Sequence, residues 1–186
     1  MMKTVKQIFQ SYGILDAQGR HTNGTDKETN HHYGDAYEGL FPDRHAITLM
    51  MEIGVADGSS LLAWRDIFPN ALCVGMDIHH ADRAHGERIE MYMGDMRSQY
   101  DCERTAGGRE FDFICEDATH QLGDTLQCLL FFWPFVKPGG LYVVEEFKDY
   151  WSLRRNIREL FPFSEVIHTD GPFGSQEALV VLRKPT

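Results

Sequence analysis

The sequence predicts an α/β protein: a Rossmann-like, doubly wound sheet, mostly parallel, with one antiparallel strand near the C-terminus and helices on both faces. Three observations carry this. From residue 46 onward, short apolar runs alternate with amphipathic stretches, the pattern of repeated strand–helix units. The first run ends in a glycine-containing turn at residues 52–58, and the second ends in Asp77. The last two predicted strands are joined by a short turn-rich loop rather than a helix, which permits an antiparallel pair. With 186 residues, the chain is expected to form a single domain over residues 1–186, with residues 1–45 an N-terminal helical and lid segment.

The elements follow in order. Val5, Ile8, Phe9 and Tyr12 recur at helical spacing, and Gly13 stops that helix. Residues 16–32 are polar and rich in Gly, Asn, Thr and Asp, so they read as a long loop. Lys27, His31 and Tyr33 are residues that a linker does not need, so residues 24–37 are expected to act as a lid over a bound cofactor. Tyr33, Tyr37, Leu40 and Phe41 predict a short helix closed by Pro42. Residues 47–53 form the first strand of the repeating pattern, and an amphipathic helix carrying Leu61, Leu62, Trp64 and Phe68 follows. Further strands are predicted at residues 71–76, 89–93, 111–115 and 141–144, with a helix over residues 122–135. A helix near residues 151–161 and strands near 163–168 and 177–182 complete the chain, with a turn at 170–174.

Charge and composition narrow the function classes. The formal net charge of -10 repels phosphate backbones, so no nucleic-acid partner is expected. The basic cluster Arg154, Arg155 and Arg158 reads as a solvated helix face. Cys73, Cys102, Cys115 and Cys128 show no CxxC spacing, and three of them sit in apolar runs, which suits a reducing compartment. Neither the N-terminus nor the run at residues 129–136 is long and apolar enough for a signal peptide or membrane span. A cytoplasmic location without a membrane partner is therefore expected.

The chemistry lies at the strand ends. Ligands of open α/β sheets bind beyond the carboxyl ends of the strands, where strand order reverses. Each of the first five predicted strands of the repeating pattern ends in acid: Glu52, Asp77, Asp95, Glu116 with Asp117, and Glu145 with Glu146. Helix capping explains one or two of these, but not five in succession. The glycine turn after the first strand lets a ligand approach the backbone, and Asp77 is placed to hold both hydroxyls of a ribose. Ala56 stands where a dinucleotide fold would need a second glycine to cradle a pyrophosphate. S-adenosylmethionine (SAM) has no pyrophosphate, so the pattern favours SAM, with Asp95 near its adenine.

Adjacent carboxylates repel one another unless a cation compensates. Asp117, Glu145 and Glu146 could therefore converge on one hard divalent cation such as Mg. His120, three residues beyond Asp117, is placed to take a proton from a hydroxyl near neutral pH.

These residues lie within a wider pattern that resembles the metal-dependent sugar O-methyltransferases of macrolide antibiotic biosynthesis, the mycinamicin and macrocin type, and their cephalosporin hydroxylase-like relatives. It begins with Gly24, Thr25, Asp26 and Lys27, then His31, Tyr33, Tyr37 and Phe41. It continues through residues 49–55, Gly58 and Ser59, Trp64, Phe68 and Pro69, then residues 74–78, 111–114 and 139–145. The resemblance implies O-methylation of a small-molecule hydroxyl, on a sugar or glycoside. It implies SAM held around Lys27, Glu52, Gly54, Gly58, Ser59, Asp77, Asp95 and Asp117. It implies a divalent cation on Asp117, Glu145 and Glu146, with His120 as general base. A homo-oligomer is compatible with it. A non-catalytic SAM-fold binding protein and a cephalosporin hydroxylase-like homologue are the alternatives. The chain departs from the family at Glu116, Ala118 and Thr119, and Glu146 replaces a shorter aspartate. The extra N-terminal domain of some members is not expected here, so no particular sugar is implied.

Overall fold

The computed structural model describes residues 2–19, 21–146, 150–162, 164–170 and 176–186. The N-terminal segment forms α1 (Val5–Tyr12), a hairpin of β1 (Gly13–Leu15) and β2 (His21–Gly24), and α2 (Gly34–Leu40). Helix α1 starts at a capping box. Thr4 Oγ1 accepts from the Gln7 amide, and Gln7 Oε1 accepts from the Thr4 amide. The predicted loop thus contains a hairpin. Its second strand runs His21, Thr22, Asn23, Gly24, with no alternation of apolar residues, so it left no period-two signal.

The main sheet contains β3 (Leu49–Ile53), β4 (Leu72–Asp77), β5 (Ile89–Met93), β6 (Phe111–Glu116), β7 (Val136–Val144), β8 (Ser164–Asp170) and β9 (Gln176–Arg183). Their order is β5-β4-β3-β6-β7-β9-β8. Strands β3 to β7 pair in parallel, and β9 runs antiparallel to both β7 and β8, so it is the one reversed strand. The connecting helices are α3 (Ser59–Ile67), α4 (Gln99–Ala106), α5 (Leu122–Phe132) and α6 (Tyr150–Leu160). The periodicity pointed to no helix at α4, because that helix buries only Cys102, Thr105 and Ala106. Its ends were nonetheless written in the sequence: Ser98 caps the start, and Gly107 in the left-handed region closes it. Arg155 and Arg158 on α6 are exposed, as a solvated face requires, while the side chain of Arg154 and the turn residues 171–174 lie outside the described residues.

Successive strand residues point to opposite faces, and this parity sorts the core. Met50, Phe113, Leu141 and Val143 face the layer of α1, α2 and α3, where Phe9, Tyr37, Phe41, Trp64, Phe68 and Phe113 form one aromatic cluster. Met51, Ile53, Ile114, Tyr142 and Val144 face α4, α5 and α6. The same parity sends Glu52, Cys115, Asp117 and Glu145 toward the N-terminal layer and Glu116 away from it. All four cysteines are free and buried.

The sheet changes direction at β3, whose neighbours are β4 on one side and β6 on the other. Gly54, just past β3, has a φ of +84°, and a Cβ there would lie 2.1 Å from the carbonyl oxygen of Asp117. The strand end can therefore approach the β6 loop only as glycine. Gly54→Ala should lower the thermal unfolding midpoint by an amount corresponding to about 2 kcal/mol or more, since the position combines positive φ with a backbone clash. An unchanged midpoint would show that the loop after β6 can move aside.

Candidate active site

A cavity of about 650 Å³ opens over the carboxyl ends of β3, β4, β5 and β6, at the switch point of the sheet. Of the residues expected to hold SAM, Gly54, Asp77, Asp95 and Asp117 line it. The Asp77 carboxylate is fixed by three backbone amides. Val55 and Ala56 donate to Oδ2 at 2.9 and 3.0 Å, and His79 donates to Oδ1 at 2.8 Å. It faces the cavity as a rigid acceptor with lone pairs to spare. Asp95 is gripped by the Arg97 guanidinium at 2.7 Å, which holds its carboxyl below the usual range.

The other four expected SAM residues are placed differently. Gly58 caps α3, and Ser59 donates to Asp57 while accepting from Arg83. Lys27 and Glu52 lie beneath the cavity floor, 1% and 0% exposed. Glu52 accepts from Ser60 Oγ at 2.8 Å and from Trp64 Nε1 at 3.1 Å. The ammonium of Lys27 lies 2.8 Å from Asp117 Oδ2 and 3.3 Å from Glu52 Oε1, and it donates a short hydrogen bond to Glu145 Oε2.

The cation that the acidic strand ends require is thus present in the chain. It comes from residue 27, 90 positions before Asp117. Burial would lower the Lys27 pKa, but Asp117, Glu145, Cys115 and Glu52 outweigh it and hold the pKa well above its ordinary value. Burial pushes the Glu145 carboxyl up from its ordinary range, and Lys27 beside it pulls it back down.

Glu145, one of the three expected metal ligands, is engaged by this pairing. Glu145 is 1% exposed, and its second oxygen accepts a short hydrogen bond from Tyr37 Oη. Parity turns it toward the N-terminal layer, where it is buried against Lys27 and Tyr37. Among the described residues, the donor atoms that lie within 4.8 Å of one another are those of Asp117, His120 and Glu146, and those of Asp26, His31 and Glu146. Asp117, His120 and Glu146 line the cavity, and His120 Nε2 lies 3.6 Å from Glu146 Oε2. Two carboxylates suit a hard divalent cation of the Mg or Mn type, so Asp117 and Glu146 fit such an ion, with the His120 imidazole beside them.

Backbone strain concentrates here. Ala56, His120 and Glu146 line the cavity with φ of +48°, +55° and +52°. Non-glycine residues hold such angles only where their surroundings over-determine them. At Glu146 those surroundings are visible: its amide donates to Tyr33 Oη at 3.3 Å, and its Oε1 lies 2.7 Å from His31 Nε2.

The N-terminal segment supplied residues that the strand-end argument passed over. Gly24, Thr25 and Asp26 line the cavity, and Tyr37 and His31 hold Glu145 and Glu146. Their signal in the sequence is the run of residues 24–37, which is expected to act as a lid and which opens the family resemblance.

No family model matches the chain. An 8-demethyl-8-alpha-L-rhamnosyl tetracenomycin-C 2'-O-methyltransferase from Streptomyces olivaceus is 31% identical over 75% of this chain and 39% of its own length. Mycinamicin VI 2''-O-methyltransferase from Micromonospora griseorubida is 30% identical over 65% of this chain and 33% of its own length. Among solved structures, a methyltransferase from the mycinamycin biosynthetic pathway, in complex with Mg and SAH, superposes over 100% of this chain and 56% of its own. The TM-score is 0.74 at 19% identity. The chain has a methyltransferase fold. By sequence it is a relative of sugar O-methyltransferases, and it spans about a third to two fifths of the length of the two curated relatives. Within the methyltransferase fold, Asp77 and the turn after β3 occupy the switch point where the cofactor crevice of open α/β sheets lies.

His31 gives this site a pH signature. Burial lowers its pKa, but hydrogen bonds to Asp26 and Glu146 outweigh that and carry it up to about 10, from 6.5. A pKa raised on folding contributes stability that is fully present below pH 6.5 and is lost as pH rises through about 10. Unfolding midpoints measured between pH 6 and 10 should therefore decline, and His31→Gln should flatten that decline. Parallel profiles for the two proteins would remove the imidazolium from this role.

Proposed function

We propose that this chain carries SAM-dependent O-methylation of a hydroxyl on a small molecule, a sugar or glycoside, assisted by a divalent cation. The observation that carries the reading is a single cavity that joins two chemistries. At one end stands Asp77, pre-organised as a ribose acceptor at the tip of β4. At the other stand Asp117, His120 and Glu146 beyond β6 and β7. The curated relatives support the acceptor class, since their names give sugar hydroxyl positions as the sites of methylation.

In this reading Gly54, Asp77 and Asp95 hold SAM, with Gly24, Thr25 and Asp26 against its other side. Asp117 and Glu146 hold the cation. When bound, SAM supplies a methyl group already activated on a sulfonium, and the cation supplies charge that favours the ionised hydroxyl. What remains for the protein is positioning and proton transfer. His120 Nε2 takes the hydroxyl proton, and Glu146, 3.6 Å away, stabilises the imidazolium that results. Arg97 and Tyr33 act one step back, fixing Asp95 and the backbone of Glu146.

A second reading has an observation of its own. Lys27 already satisfies the buried acids, so the fold has no structural need of a metal, and a metal-independent SAM-binding protein is its rival. Transfer of labelled methyl from SAM to a panel of sugars and glycosides, with and without Mg, separates the two. Turnover should require the cation. His120→Ala should keep SAM binding and lose about 100-fold or more in rate, the usual scale for a general base. Asp117→Asn should keep SAM binding and weaken the response to Mg. SAM binding without turnover on any acceptor would favour the binding protein. Full turnover in the presence of a chelator would remove the cation from the mechanism.

A further inference from the structure

We infer that the outer edge of β8 is a self-association surface, where a second copy of this chain adds its own β8 antiparallel about a two-fold axis at Ile167. The main sheet ends in two edges, β5 and β8, and they are built differently. The β5 edge is five residues long and guarded by charge. Arg104 donates to the carbonyl oxygen of Met93 at 2.6 Å, and Glu90 is paired with Arg109 at 2.7 Å. Charged side chains, prolines and bulges are the devices by which folded proteins keep a sheet edge from adding strands. The β8 edge is seven residues long and lacks such a guard at its centre. It contains no proline and no lysine, and its acids, Glu165 and Asp170, lie toward its ends. It pairs with β9 from Ser164 to Asp170 without a register shift, and among the described residues no strand pairs with its other side. Val166 and Ile167 are partly buried, each packed against the core on its own face of the sheet. The N-terminal segment reaches β8 at its last two residues, where Thr169 Oγ1 donates to the carbonyl of His31 and His32 Nδ1 meets that of Asp170. The edge is thus regular and apolar at its centre, a template for a further strand.

A second copy fits this edge because β8 is complementary to itself in one register. Antiparallel pairing centred on Ile167 sets Ile167 against the partner's Ile167 and Val166 against the partner's His168. It sets Glu165 against the partner's Thr169 and Ser164 against the partner's Asp170. No acid then faces an acid, and the apolar pair sits at the centre. Directly opposed side chains are the unit of sheet stabilisation, and like charges directly opposed destabilise it. Other registers are poorer. Centring on His168 opposes two imidazoles and sets Val166 against an aspartate, and centring on Val166 sets Glu165 against an isoleucine. A two-fold axis normal to the sheet opposes residues of one face only, so a shift by a single residue is excluded. Strand β8 runs parallel to β7, since both are antiparallel to β9. Asp170 therefore lies at the cavity end of the sheet, and the two-fold turns the cavities of the two copies toward opposite ends of the dimer. A ladder of seven pairs is about 24 Å long, a small contact, so the association is weak and reversible.

The test is sedimentation velocity of the full chain over a concentration series. The mass should rise from monomer to dimer with a dissociation constant on the order of 10 µM, as a small interface gives. Ile167→Lys removes the central apolar pair and opposes two ammonium groups at the two-fold axis, so it should weaken association by about tenfold or more. Thr169→Glu should also weaken it, by setting an acid against Glu165. Adding Glu165→Lys should restore it, a recovery that damage to the fold would not produce. Should Ile167→Lys fail to fold, Ile167→Cys reads the same position conservatively. Under mild oxidation Ile167→Cys should give a disulfide-linked dimer, because the axis brings that sulfur against its own copy, while His168→Cys should stay unlinked. The native cysteines are all buried, so the wild-type chain supplies the unlinked baseline. A chain that stays monomeric throughout the series would overturn the inference. A dimer untouched by Ile167→Lys would overturn it too, since that dimer uses another surface. Linking through His168→Cys and not Ile167→Cys would do the same, by moving the axis off Ile167.

Discussion

The ammonium of Lys27 lies in a fully buried pocket of carboxylates at the tips of β3, β6 and β7, and the architecture of the site depends on it. Three acids from three strands converge there because side chains alternate along a strand and these strands are in parallel register. Left alone, they would repel one another in a medium that screens poorly. Desolvating an ion costs several kcal/mol, and removing one partner of a buried pair typically costs about 3–5 kcal/mol. The sheet edge and the N-terminal segment are therefore interdependent. Neither Glu52 nor Glu145 could stay charged beneath the cavity floor without residue 27 reaching in.

That dependence explains why the N-terminal segment is packed as core. Helices α1 and α2 lean on α3 through Phe9, Tyr37 and Trp64, whose rings meet edge to face at 4.8 to 6.1 Å. The aromatic cluster fixes Tyr37, which holds Glu145, and Trp64, which holds Glu52. Hydrophobic burial thereby sets the positions of the polar contacts directly above it. The same segment passes over the cavity as Gly24, Thr25 and Asp26, then brings His31 and Tyr33 down onto Glu146. The strained backbone at Glu146 is held from that side.

The acids divide by depth, and the division separates scaffold from chemistry. Glu52 and Glu145 have every oxygen engaged and belong to the scaffold. Asp77 is fixed by amides yet open to the cavity, a form of pre-organisation suited to recognising a diol. Asp117, His120 and Glu146 are partly exposed and line the cavity, so in the proposed reading they are the groups that meet an acceptor and an ion.

The sequence by itself determined the sheet, its single reversed strand, and the acids at the strand ends, because apolar periodicity and turn residues are local signals. It also placed Asp77, Asp117, His120 and Glu146 at one edge, since parallel strands bring their carboxyl ends together. It gave little sign of the β1–β2 hairpin, whose residues do not alternate, or of α4, whose buried face is only three small or medium side chains. The pairings were beyond its reach. The repulsion among the acids was legible and demanded a cation, but nothing near them in the chain showed that Lys27 would supply it. Nor did spacing reveal that Glu145 would be buried while Glu146, the next residue, lines the cavity. Those outcomes belong to the tertiary structure, because strand parity and the docking of a segment 90 residues away in sequence decide which charges meet, and Coulomb attraction acts on distance in space rather than along the chain.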